Sequence, residues 1–177
     1  MRLNAASSAV VVVDIQERLL PTIPSGADVV TESCRLVDAA RLFGVPVLAT
    51  EQYPQGLGAT VEPLAGRLEG IAEKRSFSCC GCEPFTRQLA EGIEAIVLCG
   101  LETHVCIAQT ALDLLAEGIG VCIAFDAVGS RRQLDHEVAL RRLESAGAVL
   151  STTEAILFEW CRSADHPAFR EMRKLLR

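Results

Sequence analysis

The chain has 177 residues, half of them hydrophobic, with a formal net charge of −6, eight cysteines and three histidines. Its length suits one ordinary domain, since domains run to roughly 100–200 residues and a chain of this size buries about 70% of its unfolded surface. The acidic balance leaves no basic face to gather phosphates, which argues against nucleic acid as a partner, and the uncharged stretch Leu3 to Val13 is too short for a membrane span and unlike a cleavable leader, so a cytoplasmic protein is expected.

From Ser8 to Val13, four valines follow Ser-Ala and end at Asp14, the pattern of a strand buried on both faces. Ala27 to Phe43 carries Val30, Cys34, Val37 and Leu42 at helical spacing before Gly44 stops it. Val45 to Thr50 predicts a second strand, and Tyr53 to Gly58 an ordered loop punctuated by Pro and Gly. Ile71 to Lys74 is expected to be a short third strand, and Glu83 to Glu91 a helix opened by Pro84. Ile93 to Cys99 reads as a strand, Val105 to Glu117 as a helix, and Gly120 to Phe125 as a strand ending at Asp126. Asp135 to Ala146 follows as a helix, Ala148 to Ser151 as the last strand, and Thr153 to Cys161 and Pro167 to Leu176 as terminal helices.

Strands alternating with helices, the strands apolar throughout, predict a single-domain, three-layer α/β fold with a mostly parallel, Rossmann-like sheet of about six strands. In such sheets ligands bind at the carboxyl ends of strands where the order reverses, so the residues after Val13, Thr50, Ala72 and Cys99 carry the chemistry. Those ends present Asp14, Glu51, Lys74 and the segment Gly100 to Cys106. Cys106 opens a predicted helix, where unpaired N–H groups and the helix dipole favour a thiolate. Taken singly, Cys106 reads as a packing cysteine, Asp14 as a turn residue and Lys74 as a surface charge; their shared place on one edge favours the chemical reading. Lys74 is one of only two lysines, the other being Lys174 near the end of the chain. Most of the eight thiols are expected to be reduced, and Cys34, Cys99 and Cys122 sit in apolar runs as small hydrophobes.

Val-Val-Val-Val-Asp14-Ile-Gln16, Lys74 with Phe77-Ser78, Gly100-Leu-Glu-Thr103-His-Val-Cys106 and Asp126-Ala-Val followed by Ala146-Gly147-Ala148 together resemble the isochorismatase-like cysteine hydrolases, which include nicotinamidases and N-carbamoylsarcosine amidohydrolase. The resemblance covers nearly the whole chain, residues 1–177, and looks closest to the isochorismatase domain-containing proteins. It implies Cys106 as nucleophile, Asp14 as general base and later acid, and Lys74 as the group that orders them. It also implies a cis peptide at Leu101–Glu102 and an oxyanion hole made by the N–H groups of Glu102 and Cys106. The reaction implied is hydrolysis of a small amide or carbamoyl compound through a thioester.

Gln16, Glu51, Gln52, Tyr53, Leu57, Phe77, Thr103 and His104 are the residues expected to meet the substrate. The Asp-x-His that nicotinamidases carry after strand two is replaced by Thr50-Glu51-Gln52-Tyr53-Pro54, and His104, His136 and His166 lack ligand spacing, so no metal and no other cofactor is expected. Cys79-Cys80-Gly81-Cys82 has no distant second pair and reads as a loop, with a disulfide or redox role left open. Arg131 and Arg132 read first as a solvated helix start and second as partners for a substrate carboxylate. A homo-oligomer is expected; Ile156, Leu157, Phe158 and Trp160 read as core before interface. Two rival functions stay open: cleavage of a vinyl ether, as in isochorismatases, and a non-catalytic thiol or protein-binding role.

Overall fold

β1 (Ser8–Val13) is buried on both faces along its whole length in the computed structural model, which describes residues 1–89 and 91–177. Val10 and Val12 face one apolar layer and Ala9, Val11 and Val13 the other, as period-two alternation requires in a sheet covered on both sides. Each fully buried valine contributes about 1.5–3 kcal/mol. The remaining strands are β2 (Val47–Gln52), β3 (Ala72–Lys74), β4 (Ala95–Leu101), β5 (Gly120–Gly129) and β6 (Val149–Ser151). All pair in parallel, in the order β3-β2-β1-β4-β5-β6. The expected α/β class with a six-stranded sheet is therefore what forms. The chain runs outward in both directions from the β1/β4 pair, which opens a crevice at its carboxyl ends.

The helices are α1 (Gly26–Phe43), α2 (Pro54–Leu57), α3 (Glu83–Gln88), α4 (Ala108–Ala116), α5 (Gln133–Ser145), α6 (Thr153–Cys161) and α7 (Phe169–Leu175). α1, α6 and α7 cover one face of the sheet, and α3, α4 and α5 the other. Ile156, Leu157 and Trp160 belong to the core packed with α1, and only Phe158 of that group is exposed. Among the described residues no helix is long and apolar enough to cross a membrane.

Several boundaries differ from the sequence reading, and the differences matter at the site. β2 starts at Val47 because Pro46 has no N–H for the ladder; only its carbonyl contributes, accepting from the Val10 N–H at 2.9 Å. At its other end β2 continues to Gln52, since β3 pairs Glu51 with Glu73 and Gln52 with Lys74. β5 runs past Asp126 to Gly129, with a register shift against β4 between Leu98 and Gly100. Asp126 accepts from the Thr153 N–H and hydroxyl, both at 2.9 Å, and so ties β5 to the start of α6. The predicted helix Glu83 to Glu91 stops at Gln88, and Ala90 lies outside the described residues. The predicted helix from Val105 is a π-helical turn, Thr103–Ile107, leading into α4. Such turns are rare and concentrate at functional sites.

Candidate active site

The chain leaves β1 at Asp14 in the left-handed region, φ 51°, which Asp tolerates better than most residues. Its carboxylate is buried and fully engaged: Oδ1 accepts from the Thr50 hydroxyl at 2.8 Å, and Oδ2 from Lys74 Nζ at 2.7 Å. Lys74 reaches it from the end of β3 with its side chain 0% exposed. The same ammonium donates to Gln52 Oε1 at 2.7 Å and to the carbonyls of Phe77 at 2.9 Å and Ser76 at 3.3 Å. Burial works against the Lys74 charge, but Asp14 and the other neighbours outweigh it and hold its pKa above the usual range. A buried ion pair persists only when the remaining donors and lone pairs are met, as they are here.

Cys106 approaches from the other side of the crevice. Gly100, at φ 120°, leads into it, and a Cβ there would fall 2.0 Å from the Val13 carbonyl oxygen; only glycine lets β4 run this close to the end of β1. The Leu101–Glu102 peptide is cis. Cys106 is then 6% exposed and lies beside both Asp14 and Lys74. Burial first, and the Asp14 charge second, push its pKa up, while Lys74 pulls it down by less. The thiol is thus protonated at rest, contrary to the lowered pKa expected of a helix start. Cys106 sits deep in the π-turn rather than in an open first turn, and desolvation wins.

A cavity of about 190 Å³ opens on these groups, lined by Asp14, Leu19, Gln52, Leu57, Phe77, Glu102, Val105, Cys106 and Arg131. Of the expected substrate-facing residues, Gln52, Leu57 and Phe77 are therefore at the cavity. The others are spent elsewhere. Gln16 is buried and clamps β2 to the following loop, donating to the carbonyls of Gln52 at 3.1 Å and Gly58 at 2.7 Å. Glu51 accepts from the Thr60 N–H at 2.6 Å and its hydroxyl at 2.7 Å. Tyr53 stacks under the Arg75 guanidinium at 4.0 Å. Thr103 bonds His136 at 2.9 Å, and His104 bonds Ser130 at 3.1 Å. Strand alternation explains part of this: Glu51 and Gln52 point to opposite faces of β2, so only one of them can reach the crevice. Leu19 and Val105 carried no signal beyond hydrophobicity. Arg131 did carry one, because it follows a strand end, but the longer β5 was needed to bring it to Glu102, whose Oε1 accepts from the Arg131 N–H at 3.1 Å and Nε at 2.9 Å.

The cysteine cluster splits by burial. Cys79 lies behind the ion pair with Sγ 3.7 Å from the Thr50 hydroxyl, and its N–H donates to Thr110 Oγ1 at 2.9 Å. Cys82 Sγ meets the Glu73 carbonyl at 3.5 Å. Every cysteine is a free thiol. Among the described residues no group of three His, Cys, Asp or Glu side chains is arranged to hold a metal. A larger hollow of about 460 Å³, flanked by Asp28, Glu32, Asp126 and His136, contains no thiol.

This geometry has relatives. Residues 8–155 match the isochorismatase domain. Isochorismatase domain-containing protein 2A of Mus musculus is 39% identical over 99% of this chain and 85% of its own length. The MAR1 ribonuclease structure from Caenorhabditis elegans superimposes with a TM-score of 0.95 at 40% identity, covering 99% of this chain and 92% of that one. YcaC from Pseudomonas aeruginosa, solved with hexane-2,5-diol and covalent acrylamide, gives a TM-score of 0.88 at 27% identity over 98% of this chain and 91% of that one. A domain match over most of the chain, joined to full-length relatives at this identity, means that the protein belongs to the isochorismatase family of hydrolases.

Proposed function

We propose that the chain is a cysteine hydrolase that cleaves a small amide or carbamoyl compound without a metal, residues 1–177 acting as one catalytic unit. The observation that carries this reading is the sealed Asp14–Lys74 ion pair, 2.7 Å apart, beside the Cys106 thiol at one wall of a small cavity. In this reading the proton that Cys106 holds at rest goes to the neighbouring Asp14 carboxylate. On attack, the C–S bond forms as that proton passes to Asp14, and the carbonyl π electrons move onto oxygen. The Glu102 N–H, which meets no acceptor among the described residues, and the Cys106 N–H are assigned here to that oxyanion. Asp14 then returns the proton to the departing nitrogen as the C–N bond breaks. Water then attacks the thioester as Asp14 takes its proton, the C–S bond breaks, and Asp14 returns that proton to the Cys106 sulfur, restoring the thiol and the carboxylate. Lys74 stays charged throughout and keeps Asp14 aimed.

Gln52 lies in the Thr50 to Pro54 stretch that replaces the Asp-x-His of nicotinamidases, and its amide is occupied by Lys74 Nζ and, through Nε2 at 2.9 Å, by the Arg75 carbonyl. That engagement supports a metal-free reaction. The covalent acrylamide on the Pseudomonas relative fits a reactive group in this fold, since acrylamide is attacked by thiolates. The nematode relative's ribonuclease name gains no support from a net charge of −6 and a cavity of about 190 Å³. Leu134 and Val138, one turn apart and exposed on α5, offer an apolar strip for the expected self-association. A hydrolysis screen over small amides and carbamoyl compounds, with Cys106→Ser as control, tests the reading. Turnover lost in the variant and a trapped acyl-Cys106 in the native protein are expected; turnover that survives Cys106→Ser would overturn it.

A further inference from the structure

Glu102 contributes more than its backbone to the cavity. Its side chain is only 7% exposed, and Arg131 occupies Oε1 through two donors. Oε2 accepts nothing from any described residue, yet it is not among the buried polar atoms sealed off without a partner. Glu102 is also among the residues that line the cavity, so an oxygen that is neither hydrogen-bonded nor sealed off is available to a ligand there. Leu19, Leu57, Phe77 and Val105 give the wall its apolar part, and the Gln52 amide is taken by Lys74 and the Arg75 carbonyl. The other carboxylate, Asp14, has no such spare oxygen, since Thr50 and Lys74 take one each. Glu102 Oε2 is therefore a side-chain acceptor of the wall that meets no donor among the described residues. A largely desolvated carboxylate oxygen facing an apolar enclosure demands a donor from whatever fills the space.

We propose that Glu102 is the specificity-determining residue: its free oxygen accepts a hydrogen bond from an N–H or O–H beside the reacting carbonyl, selecting neutral, donor-bearing substrates such as primary amides and ureas. Compounds that present an alkyl group or an anion at that wall are rejected, the first for leaving the carboxylate unpaired and the second by repulsion. Arg131 positions the carboxylate from the mouth, where its side chain is 57% exposed. The proposal rests on the reading of Cys106 as the nucleophile and narrows its substrate class.

Thiol addition to activated alkenes tests it. In each probe the Cys106 sulfur bonds to the β-carbon, the C=C π bond breaks, and the thiol proton ends on the α-carbon. Acrylamide offers an N–H donor, N,N-dimethylacrylamide offers none, and acrylate is an anion. Rates of modification at Cys106, located by mass spectrometry and divided by each probe's rate with glutathione, remove intrinsic reactivity. The native protein is expected to favour acrylamide over the other two by about tenfold, the scale of a hydrogen bond to a charged group. Glu102→Gln should pull the three normalised rates together, with acrylate gaining most. Flat normalised rates in the native protein would overturn the role of Glu102 while leaving Cys106 as nucleophile, and this arm needs no folded variant. Failure of all three probes to modify Cys106 would remove the nucleophile reading, and the proposal with it.

Discussion

Cys99 and Cys106 lie on one continuous stretch of chain, and both are buried. Cys99 is 0% exposed within β4, its Sγ donating to the Val11 carbonyl at 3.7 Å, and burial pushes its pKa up to about 12. Cys106 is 6% exposed, and its pKa is also raised, burial again being the first cause. Neither thiol is ionised at neutral pH. What separates them is the neighbourhood: Cys99 has the Val11 carbonyl, the Ser33 hydroxyl and a packed core around it, whereas Cys106 has the Asp14 carboxylate, the Lys74 ammonium that pairs with it, and a cavity. On the proposed function, Cys106 is a nucleophile by virtue of its neighbours, and the resting pKa of the sulfur would not single it out.

The strongest way to break that comparison is to remove each sulfur in turn. Cys106→Ser is expected to lower the rate of amide hydrolysis by at least about a thousandfold. Cys99→Ala should keep the rate within a few fold while costing about 1 kcal/mol of stability, measured by urea unfolding. Equal losses in both variants would erase the distinction.

Alkali probes what the two thiols share. A thiol whose native pKa is raised binds its proton more tightly when folded. Its contribution is full below the ordinary thiol range near pH 8.5 and is lost as pH rises through the native value, at about 1.4 kcal/mol per pH unit for each such group. Cys79, pushed up to about 11, and Cys99, to about 12, belong to this set with Cys106. Lys74, also raised, acts in the same direction. Stability should therefore fall steadily from pH 9 to 11, and Cys99→Ala should flatten the slope by one thiol's share. A pH-independent unfolding midpoint over that range would contradict the burial argument.

Smaller effects dissect the surroundings of Cys106. Lys74→Met strands a buried carboxylate and is expected to cost about 3–5 kcal/mol, against a much smaller loss in the double variant with Asp14→Asn, which removes the orphan charge. Thr50→Val takes away the donor to Asp14 Oδ1 and should lower kcat about tenfold with little change in KM, with Thr50→Ser restoring the rate. A change confined to KM would mean that Thr50 serves binding rather than the aim of the base.

Asp14, Lys74 and Cys106 were legible as a group because each closes or follows a strand whose apolar run is visible locally, and parallel sheets gather such ends on one edge. Gln16, Glu51, Tyr53, Thr103 and His104 shared that neighbourhood in sequence and still missed the cavity. Their side chains are consumed by hydrogen bonds or stacking to Gly58, Thr60, Arg75, His136 and Ser130, partners that no local pattern reveals. Leu19 carried no signal beyond hydrophobicity, and Arg131, read first as a solvated helix start, reaches the cavity because β5 runs beyond its apolar stretch through Asp126 to Gly129.

Chain order and periodicity were enough to set the α/β class, because alternation of apolar residues at period two and at helical spacing is a property of neighbouring residues and survives without knowledge of the fold. Which charges pair, which oxygen stays free and which way the thiol's pKa moves came from packing. The Lys74 ammonium meets Asp14 across the width of β2, and the loss of water around Cys106 outweighs the helical turn that was expected to ionise it. Desolvation and ion pairing depend on distance in space, and a sequence records only distance along the chain.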